Sequence, residues 1–483
     1  MRQVTGRAGG TLQILARLRR RKGPRKAPCE TATELLEGVA GPAKLDLPVP
    51  GSTARSSNRV RLLALTAVLL RASAILAQTP SGDDDLPTIR LSGAGVEMLK
   101  LAVPRAEGDA ETARAAVEIL SKDMDITGLF QVLDPVSFPA ALETEGLNFS
   151  SALWTQVGAQ AVVKMKVTGG GLEGRVYVVA RGDGAILSRT YRAGDVREAV
   201  HQLANDVVQA FTGQAGIFGS RIAFGFTGHT EHEIGAVDVD GGRMAVITRM
   251  GADSLLPAYS PNGGEIAFTS YLRNNPDLWI VPAGGGRARR VSKQPGLNTG
   301  AAWSPDGRRL ALTMSYQGNS EIYRINPDDG SIEARLTNNP AIDSSPAFSP
   351  DGSQIAFVSN RQGSPQIFLM PASGGAAKRL TFQGKYNQTP RWNPRADKPQ
   401  IAFTGRDERG TFDVFLLDVR SGKIDRVTQG KGSNLDPAWS PDGRLLAYVS
   451  SRGGLYVQNP ETHHEVLIWR GSASSPSWGP AKK

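Results

Sequence analysis

The sequence predicts a multidomain chain, α/β plus all-β, in which a small N-terminal α/β domain is followed by a six-bladed β-propeller. Two observations predict this fold class. An aromatic residue followed by Ser-Pro-Asp-Gly recurs through the C-terminal half at intervals of about 45 residues, the length of one propeller blade. Ahead of the first copy, helix-type and strand-type patterns alternate over a length that suits one small domain.

The recurring motif is a strand end, a tight turn and a second strand. In AWSPDGRRLALTM, residues 302–314, Pro305 presets φ for the first central position of the turn and Gly307 accepts a positive φ. The apolar residues after the turn alternate with smaller ones, which is typical of a strand. Six copies of this strand core predict six blades, and they begin at Ile222, Ile266, Leu310, Ile355, Ile401 and Leu446.

The two ends of the repeat predict how the ring closes. Each unit continues with a second strand and then a basic-apolar-hydroxyl strand, so four strands are expected in each blade. The repeat begins in mid-blade near Ser220 and ends in mid-blade at Trp478. A C-terminal strand at Trp478 would therefore complete the sheet that Ile222 begins, which removes the free sheet edge. We expect the propeller over residues 216–480.

The region before the propeller, residues 93–215, predicts the small α/β domain. Leu99 begins a strand pattern, and residues 109–124 carry apolar side chains at helical spacing. The residues from Ala161 predict a three-stranded meander. Asp195 is followed three residues later by Glu, an acidic variant of the capping box that predicts the start of a second long helix.

The net charge of +10 is concentrated near the N-terminus. The first 77 residues hold 14 of the 56 Lys and Arg residues but 4 of the 46 Asp and Glu residues, so the rest of the chain is balanced. A balanced folded part has no overall electrostatic signature of a nucleic-acid or membrane-surface protein. We therefore expect no nucleic-acid partner, and membrane association through protein partners alone.

Residues 59–77 have the pattern of a secretory signal peptide. Two arginines precede the apolar stretch 62–70, and small residues suited to cleavage follow, with Ala74 or Ala77 as the last residue removed. The apolar stretch is shorter than the roughly 20 residues of a transmembrane helix. The pattern predicts export across the inner membrane to the periplasm.

The segments on either side of the signal peptide are expected to be unstructured. Residues 1–58 hold a low-complexity Arg- and Lys-rich stretch ahead of an adequate signal, which indicates a non-native or unstructured extension. Residues 78–92 are expected to form a flexible N-terminal segment of the mature chain. Cys29 is the single cysteine and lies in the extension, so we expect no disulfide and no lipid-bearing cysteine in the mature protein.

The catalytic and cofactor-binding motifs that the sequence partly matches are each better explained by structure. Residues 169–174 fit the glycine pattern of a dinucleotide site, but a strand-type sequence follows where that site needs a helix, which favours a hairpin turn. The histidines of 229–233 are spaced for a helix where a blade loop is expected, and His463 and His464, as adjacent strand residues, would point to opposite faces, so neither pair favours a metal site. No G-x-S-x-G occurs. We expect a protein that is not an enzyme, with no catalytic residues, no cofactor and no metal.

Two motifs outside the repeat carry a resemblance to a known family. The join FTGQAGIFGSRIAF, residues 211–224, and the element from Trp154 to Val163 accompany the six Ser-Pro-Asp-Gly blades. Together they resemble the TolB family, over residues 86–480. The resemblance implies a periplasmic scaffold of the Tol–Pal system that links the outer-membrane lipoprotein Pal to TolA at the inner membrane. It further implies a role in envelope integrity and in outer-membrane constriction during cell division.

The resemblance also implies where each partner binds. One propeller rim would dock Pal, and the short polar groups there suit a wet interface, although they also suit Asx-type turns within the blades. Residues Thr88, Ile89, Arg90 and Leu91 would add as a strand to TolA. We expect a monomer whose partners are Pal, TolA and other envelope proteins. The residues assigned to the Pal face are Leu297, Asn298, Thr299, Asp343, Ser344, Asn387, Gln388, Asn434, Leu435 and Asp436.

Two other classes of function fit an exported propeller. A hydrolase or lyase would place a convergent set of titratable groups with shifted pKa values in the channel. A carbohydrate-binding propeller would place aromatic rings around the channel mouth. The aromatic residues of the repeat lie inside its frame, where packing between blades explains them; they are Trp303, Phe348, Trp392 and Trp439.

Overall fold

The computed structural model describes residues 97–169, 171–228 and 231–481. The expected extension 1–58, the signal peptide 59–77 and the segment 78–92 lie outside the described residues. Within the described residues, no helix is both long enough and apolar enough to cross a membrane.

The first part of the fold is a five-stranded sheet with two long helices. The sheet order is β2-β1-β3-β4-β5, in which β1 runs parallel to β2 and β3 and the remaining neighbours are antiparallel. Short 3₁₀ turns follow β2 and β4. The elements are β1 (Leu99–Ala102), α1 (Ala110–Ile126), β2 (Phe130–Val132), α2 (Ala140–Glu143), α3 (Ser151–Gln156), β3 (Ala161–Thr168), β4 (Gly171–Val178), β5 (Ala185–Tyr191) and α4 (Val196–Thr212).

Side-chain caps begin both long helices. Asp109 accepts a hydrogen bond from the backbone N–H of Thr112 at 3.1 Å, and Asp195 accepts one from the N–H of Glu198 at 2.8 Å. Gly213 ends α4 with a φ of 70°, a left-handed conformation that glycine adopts without steric cost. The two helices cover one face of the sheet with a common apolar core, and Trp154 anchors a second core on the other face.

The second part is a ring of six four-stranded sheets, whose strands we call a to d from the axis outwards. The a strands contact one another in a closed circle, which makes them the innermost strands. In the order a to d, the blades are β9 (Ser254–Tyr259), β10 (Glu265–Ser270), β11 (Asp277–Pro282), β12 (Arg289–Ser292); β13 (Asn298–Trp303), β14 (Leu310–Met314), β15 (Glu321–Ile325), β16 (Ile332–Arg335); β17 (Asp343–Phe348), β18 (Gln354–Ser359), β19 (Gln366–Pro371), β20 (Lys378–Arg379); β21 (Asn387–Trp392), β22 (Gln400–Arg406), β23 (Phe412–Asp418), β24 (Ile424–Arg426); β25 (Asn434–Trp439), β26 (Leu446–Ser450), β27 (Gly454–Gln458), β28 (Glu465–Trp469); and β29 (Ala473–Trp478), β6 (Arg221–Thr227), β7 (His232–Asp238), β8 (Ala245–Val246).

The sixth blade joins the two ends of the ring. Its a strand, β29, comes from the C-terminus and pairs antiparallel with β6, so that Trp478 lies opposite Ile222 and Ser477 opposite Ala223. This closure confirms the prediction from the ends of the repeat. Since every blade then contacts two neighbours, no sheet of the ring presents an open side at the junction.

The Ser-Pro-Asp-Gly turn has the same hydrogen bonds in several blades. In the second blade, Ser304 Oγ donates to Asp306 Oδ1 at 2.6 Å and accepts from the N–H of Arg309 at 3.0 Å. Gly307 has a φ of 71°, as the turn requires. In the first blade Asn262 replaces the aspartate and accepts the same bond from Ser260 Oγ at 2.7 Å. The same geometry in different blades shows that the motif forms the turn.

The aromatic residue before each turn joins neighbouring blades. Trp303 Nε1 donates to the backbone oxygen of Ala258 at 3.0 Å, and Trp439 Nε1 donates to that of Arg391 at 3.1 Å. In both cases the acceptor lies on the a strand of the preceding blade. The indole rings therefore pack between blades, as predicted.

The α/β domain packs on the end of the propeller that carries the Ser-Pro-Asp-Gly turns. Asn459, in the turn after β27, donates from Nδ2 to the backbone oxygen of Thr127 at 3.0 Å. His464 Nε2 lies 2.9 Å from Asp125 Oδ1 at the end of α1. Ile217 and Phe218, which follow α4, belong to one apolar core shared by the domain and the propeller. The opposite end of the propeller therefore faces away from this domain.

Candidate protein-binding surface

The predicted binding residues lie at the propeller end opposite the Ser-Pro-Asp-Gly turns, which we call the far rim. It consists of the loops from strand b to strand c and from strand d to the next strand a. The b-to-c loops are 228 and 231, 271–276, 315–320, 360–365, 407–411 and 451–453, and the d-to-a loops are 247–253, 293–297, 336–342, 380–386, 427–433 and 470–472.

The residue that begins the a strand is buried at each of the predicted positions, and the asparagines among these residues bond to the preceding blade. Asn298 accepts from Ser292 Oγ at 2.7 Å through its side-chain oxygen and donates from Nδ2 to the backbone oxygen of Gln294 at 2.7 Å. Asp343 accepts from Arg361 Nη2 at 2.7 Å. These bonds tie the loops of the far rim to the strands beneath them.

The fourth and fifth blades repeat this arrangement. Asn387 Nδ2 donates to Gln366 Oε1 at 2.8 Å, and Asn434 Nδ2 donates to Asp413 Oδ1 at 3.1 Å. Both asparagines are buried. Their side-chain groups therefore shape the loop, which is the turn-forming role that the sequence left open.

The other predicted residues differ in accessibility. Thr299, Gln388 and Asp436 are buried, whereas Leu297, Ser344 and Leu435 are half-buried. Sequence patterns do not distinguish these two groups, because all but Leu297 lie in the first three residues of an a strand, where accessibility depends on the packing of the ring. The half-buried residues are the members of the predicted set that a partner can touch in this conformation.

Each a strand contains one residue whose backbone has a left-handed conformation, and together these residues form a ring around the channel. The third residue of every a strand has a φ between 47° and 63°, and the pairing register with strand b shifts at the same place. A bulge of this kind re-aims the strand and costs about 1–3 kcal/mol at a residue other than glycine. The ring therefore gives the channel wall a rigid, repeated shape. Its members are Leu256, Gly300, Ser345, Thr389, Asp436 and Ser475.

One pair of opposite charges distinguishes the a strands of the fourth and fifth blades. Burial raises the pKa of the Asp436 carboxyl, and Arg391 is the nearby cation that opposes this shift. Asp436 also accepts from Ser475 Oγ at 3.2 Å. A guanidinium does not exchange protons near neutral pH, so Asp436 is the member of this pair that can titrate.

The described residues include one buried cluster with the donor types of a metal site. Asp123 Oδ2 lies 2.7 Å from His201 Nδ1, and Asp240 is close to both. Arg197 already forms an ion pair with Asp240 and with Asp238, at 3.5 Å for the latter. Since the arginine supplies the positive charge that a metal would bring, we interpret the cluster as a structural joint between the α/β domain and the propeller.

Two titratable groups of this joint, Asp123 and His201, have raised pKa values. Burial raises the pKa of Asp123 to about 6. Burial lowers the pKa of the His201 imidazole, but its hydrogen bond to Asp123 and the negative charges of Asp123 and Asp240 together outweigh burial and raise that pKa. The sequence did not indicate this site, because its members come from two helices and a propeller loop that are far apart along the chain.

The remaining histidine and glycine motifs have structural roles. His232 Nδ1 lies 2.9 Å from Asp253 Oδ1, and His232 begins strand β7, although the sequence favoured a loop. His463 and His464 precede β28, so the expectation of adjacent strand residues was wrong. Residues 171–174 begin β4, which pairs antiparallel with β3 from Thr168 opposite Gly171, and this pairing confirms the hairpin.

Sequence reasoning missed the apolar side chains that the far rim exposes. Phe382 is 72% exposed, Ile342 is 41% exposed and Leu272 is 39% exposed. All three lie in loops between strands, where a single apolar residue has no periodicity to reveal its orientation. The segment Thr88–Leu91 lies outside the described residues.

Comparison with known proteins matches the whole described chain. The family model described as the TolB amino-terminal domain matches residues 87–181, and the model described as the TolB beta propeller domain matches residues 208–482. The Tol-Pal system protein TolB of Myxococcus xanthus (strain DK1622) is 38% identical over 378 residues, covering 76% of this chain and 85% of that protein. The protein of the same name from Anaeromyxobacter dehalogenans (strain 2CP-C) is 39% identical over 437 residues, covering 87% and 98%.

A solved structure has the same fold. The crystal structure of TolB from Acinetobacter baumannii superimposes with a TM-score of 0.69 at 24% sequence identity, covering 80% of this chain and 97% of that one. This similarity supports the architecture of an α/β domain followed by six blades.

Proposed function

The chain belongs to the TolB family, and from this premise we propose that it is a periplasmic scaffold that links Pal at the outer membrane to TolA at the inner membrane. The far rim of the propeller would bind Pal, and residues Thr88–Leu91 would bind TolA. The linkage would maintain envelope integrity and aid outer-membrane constriction during cell division.

The observation that carries the proposal is the construction of the far rim. Buried side chains such as Asn298 and Asn434 hold its loops in place through bonds to the preceding blade. A rim whose loops are fixed before binding loses little conformational entropy when a partner docks. The α/β domain packs at the other end of the propeller and so leaves this end to a partner.

We assign the Pal contacts to the accessible members of the predicted set. Leu297, Ser344 and Leu435 are half-buried and lie on three different blades. The buried members, among them Asn387 and Asp343, would act indirectly by holding the loops. A wet interface of this kind tolerates polar groups because water bridges them to the partner.

A calorimetric titration of the exported chain with the periplasmic domain of the host's Pal tests the rim. Ser344→Arg and Leu435→Arg add bulk and charge at accessible positions, and each is expected to weaken binding at least tenfold, about 1.4 kcal/mol. Ser373→Arg makes the same change in an exposed loop at the opposite end and should leave the affinity unchanged. The absence of binding by two folded proteins would contradict the proposal.

The TolA contact has a separate test. Deletion of residues 88–91 is expected to abolish binding of the periplasmic domain of TolA in a pull-down and to leave the propeller rim intact for Pal. Loss of both partners together would contradict the assignment of one partner to each part of the chain.

A further inference from the structure

The two ends of the propeller carry different charge. In the loops of the far rim, basic residues outnumber acidic ones by about two to one, whereas the loops at the opposite end hold nearly equal numbers. The basic residues of the far rim are Arg249, Arg273, Lys293, Arg361, Lys385, Arg409, Lys431, Arg452 and Arg470, and the acidic ones are Glu231, Asp253, Asp407 and Glu408.

The acidic groups nearest this rim are buried and already paired. Asp277 begins the c strand of the first blade and lies 2.7 Å from Arg290, and Glu321 begins that of the second blade and lies 3.0 Å from Arg335. Both carboxylates are fully buried. They neutralise the d-strand arginines. Of the basic loop residues, Arg361 is paired with Asp343, and Lys431 and Arg452 are paired with Glu465. The other six form no ion pair among the described residues, so the loops retain an excess of basic charge.

The third blade departs from this pattern. Gln366 stands where the first, second, fourth and sixth blades have a carboxylate, while the d-strand arginine of the first, second and fourth blades is retained as Arg379. Among the described residues, no carboxylate lies within ion-pair distance of Arg379. Its guanidinium lies 5.0 Å from the centre of the Phe382 ring, which is a cation–π contact.

Exposed apolar and basic residues lie in the two far-rim loops that flank the third blade. Phe382 is 72% exposed and Ile342 is 41% exposed, and Lys385 is exposed three residues beyond Phe382. Arg361 is close by but is paired with Asp343. We define the third-blade patch as Ile342, Arg379, Phe382 and Lys385. Arginine and aromatic side chains together are the residue types that dominate binding energy in protein interfaces.

We propose that the far rim recognises an acidic protein surface, with the third-blade patch as its anchor. The inference rests on the proposed function and specifies the chemistry of the partner: carboxylates that face the basic loops, and at least one apolar side chain that packs on Phe382 and Ile342. Such complementarity steers the partner toward this end of the propeller and makes association depend on ionic strength.

The experiment measures binding by fluorescence anisotropy with three probes. The first is the periplasmic domain of the host's Pal, the second is a labelled peptide of Asp, Glu, Leu and Gly, and the third is vesicles of anionic phosphatidylglycerol. The protein variants are Arg379→Glu, Phe382→Ser and, as a matched charge change at the opposite end, Arg420→Glu. A peptide with Asn and Gln in place of Asp and Glu controls for charge.

We expect the acidic peptide and the Pal domain to bind, and the neutral peptide not to bind. Arg379→Glu and Phe382→Ser should each weaken binding at least tenfold, while Arg420→Glu should have no effect. Raising NaCl from about 50 to about 300 mM should weaken binding several-fold, because the Debye length falls below the reach of the exposed charges.

The outcomes separate this inference from the proposed function. Pal binding that ignores Arg379→Glu and Phe382→Ser would overturn the inference and leave the function standing. Patch-dependent binding of the acidic peptide without any binding of Pal would support the inference and contradict the function. Patch-dependent binding of the vesicles alone would overturn the inference in favour of a membrane surface.

Discussion

Asn298, Asn387 and Asn434 begin the a strand in three blades, and each side chain is buried where that strand meets the preceding blade. An amide suits this position because its Nδ2 donates to a buried acceptor in all three blades, to the backbone oxygen of Gln294, to Gln366 Oε1 and to Asp413 Oδ1, respectively. The repeated asparagine is therefore explained by the fold, whatever partner the rim binds. The contacts with a partner fall to neighbours such as Ser344 and Leu435, which remain accessible.

Replacing one of these asparagines should destabilise the propeller. Asn434→Ala removes the bond to Asp413 Oδ1 and leaves that buried carboxylate with one partner fewer, so we expect a loss of about 1–3 kcal/mol. Urea unfolding followed by circular dichroism measures it. Ser344→Ala, at a half-buried position, should change stability by less than about 0.5 kcal/mol. Equal effects of the two variants would contradict the distinction between buried and accessible rim residues.

The buried pair of Asp123 and His201 should make stability depend on pH. Both groups have a raised pKa in the folded protein, so the folded state binds more protons than the unfolded state. For Asp123, the stabilisation is complete below the unfolded pKa of roughly 4 and is lost as pH rises through about 6. For His201, the same loss continues above roughly 6.5.

Asp123→Asn keeps an acceptor for His201 but cannot titrate. The stability of the unmodified chain minus that of the variant should therefore fall as pH rises from about 4 to about 8, by a few kcal/mol at most. Thermal or urea unfolding at a series of pH values gives this difference. A difference that is constant, or that rises with pH, would show that the pair does not hold the extra proton in the folded state.

The tight turn between strands a and b is the element that the sequence predicts best. The identities of Ser, Pro, Asp and Gly each have a local cause, and the bonds of Asp306 and Asp351 match it. The loops of the far rim are predicted less well, since burial there depends on which strand lies beneath the loop. The exposure of Phe382 and the left-handed φ of Thr389 are consequences of the packed ring, which no local pattern encodes.

One turn offers a test with its own control. Asp351→Ala removes the acceptor for Ser349 Oγ and Ser353 Oγ and should cost about 1 kcal/mol, in line with the loss of a capping side chain. Asn262→Asp introduces the usual aspartate into the first blade, where the amide oxygen already accepts the same bonds, and should be nearly neutral. A comparable loss in Asn262→Asp would contradict the view that the side-chain oxygen is the part that matters. Urea midpoints report both.

The closed ring explains why six incomplete copies of one repeat make a stable whole. Each blade leaves apolar faces that only its neighbours cover, and the N-terminal and C-terminal strands meet in the sixth blade. The number of blades and their closure were predictable from the repeat alone. The attachment of the α/β domain was not predictable. The contacts of Arg197 with Asp240, of Asn459 with Thr127 and of His464 with Asp125 form only once both parts have folded.

Truncation after residue 472 removes β29 and should open the ring. We expect the unfolding transition to broaden and its midpoint to fall by many degrees, because β6 and the neighbouring a strands lose their partner. Truncation after residue 481 keeps β29 and is the matched control. Differential scanning calorimetry of the two chains measures the effect. A sharp, unshifted transition in the shorter chain would contradict the role of closure.

The most direct test of the scaffold account places a photo-activated cross-linking amino acid at Leu435 on the far rim and, in a second strain, at Ser373 at the opposite end. The account predicts that irradiation of living cells yields an adduct between this protein and Pal from Leu435 and none from Ser373. An adduct from Ser373, or no adduct from Leu435 while Pal is present, would contradict the claim that the far rim binds Pal.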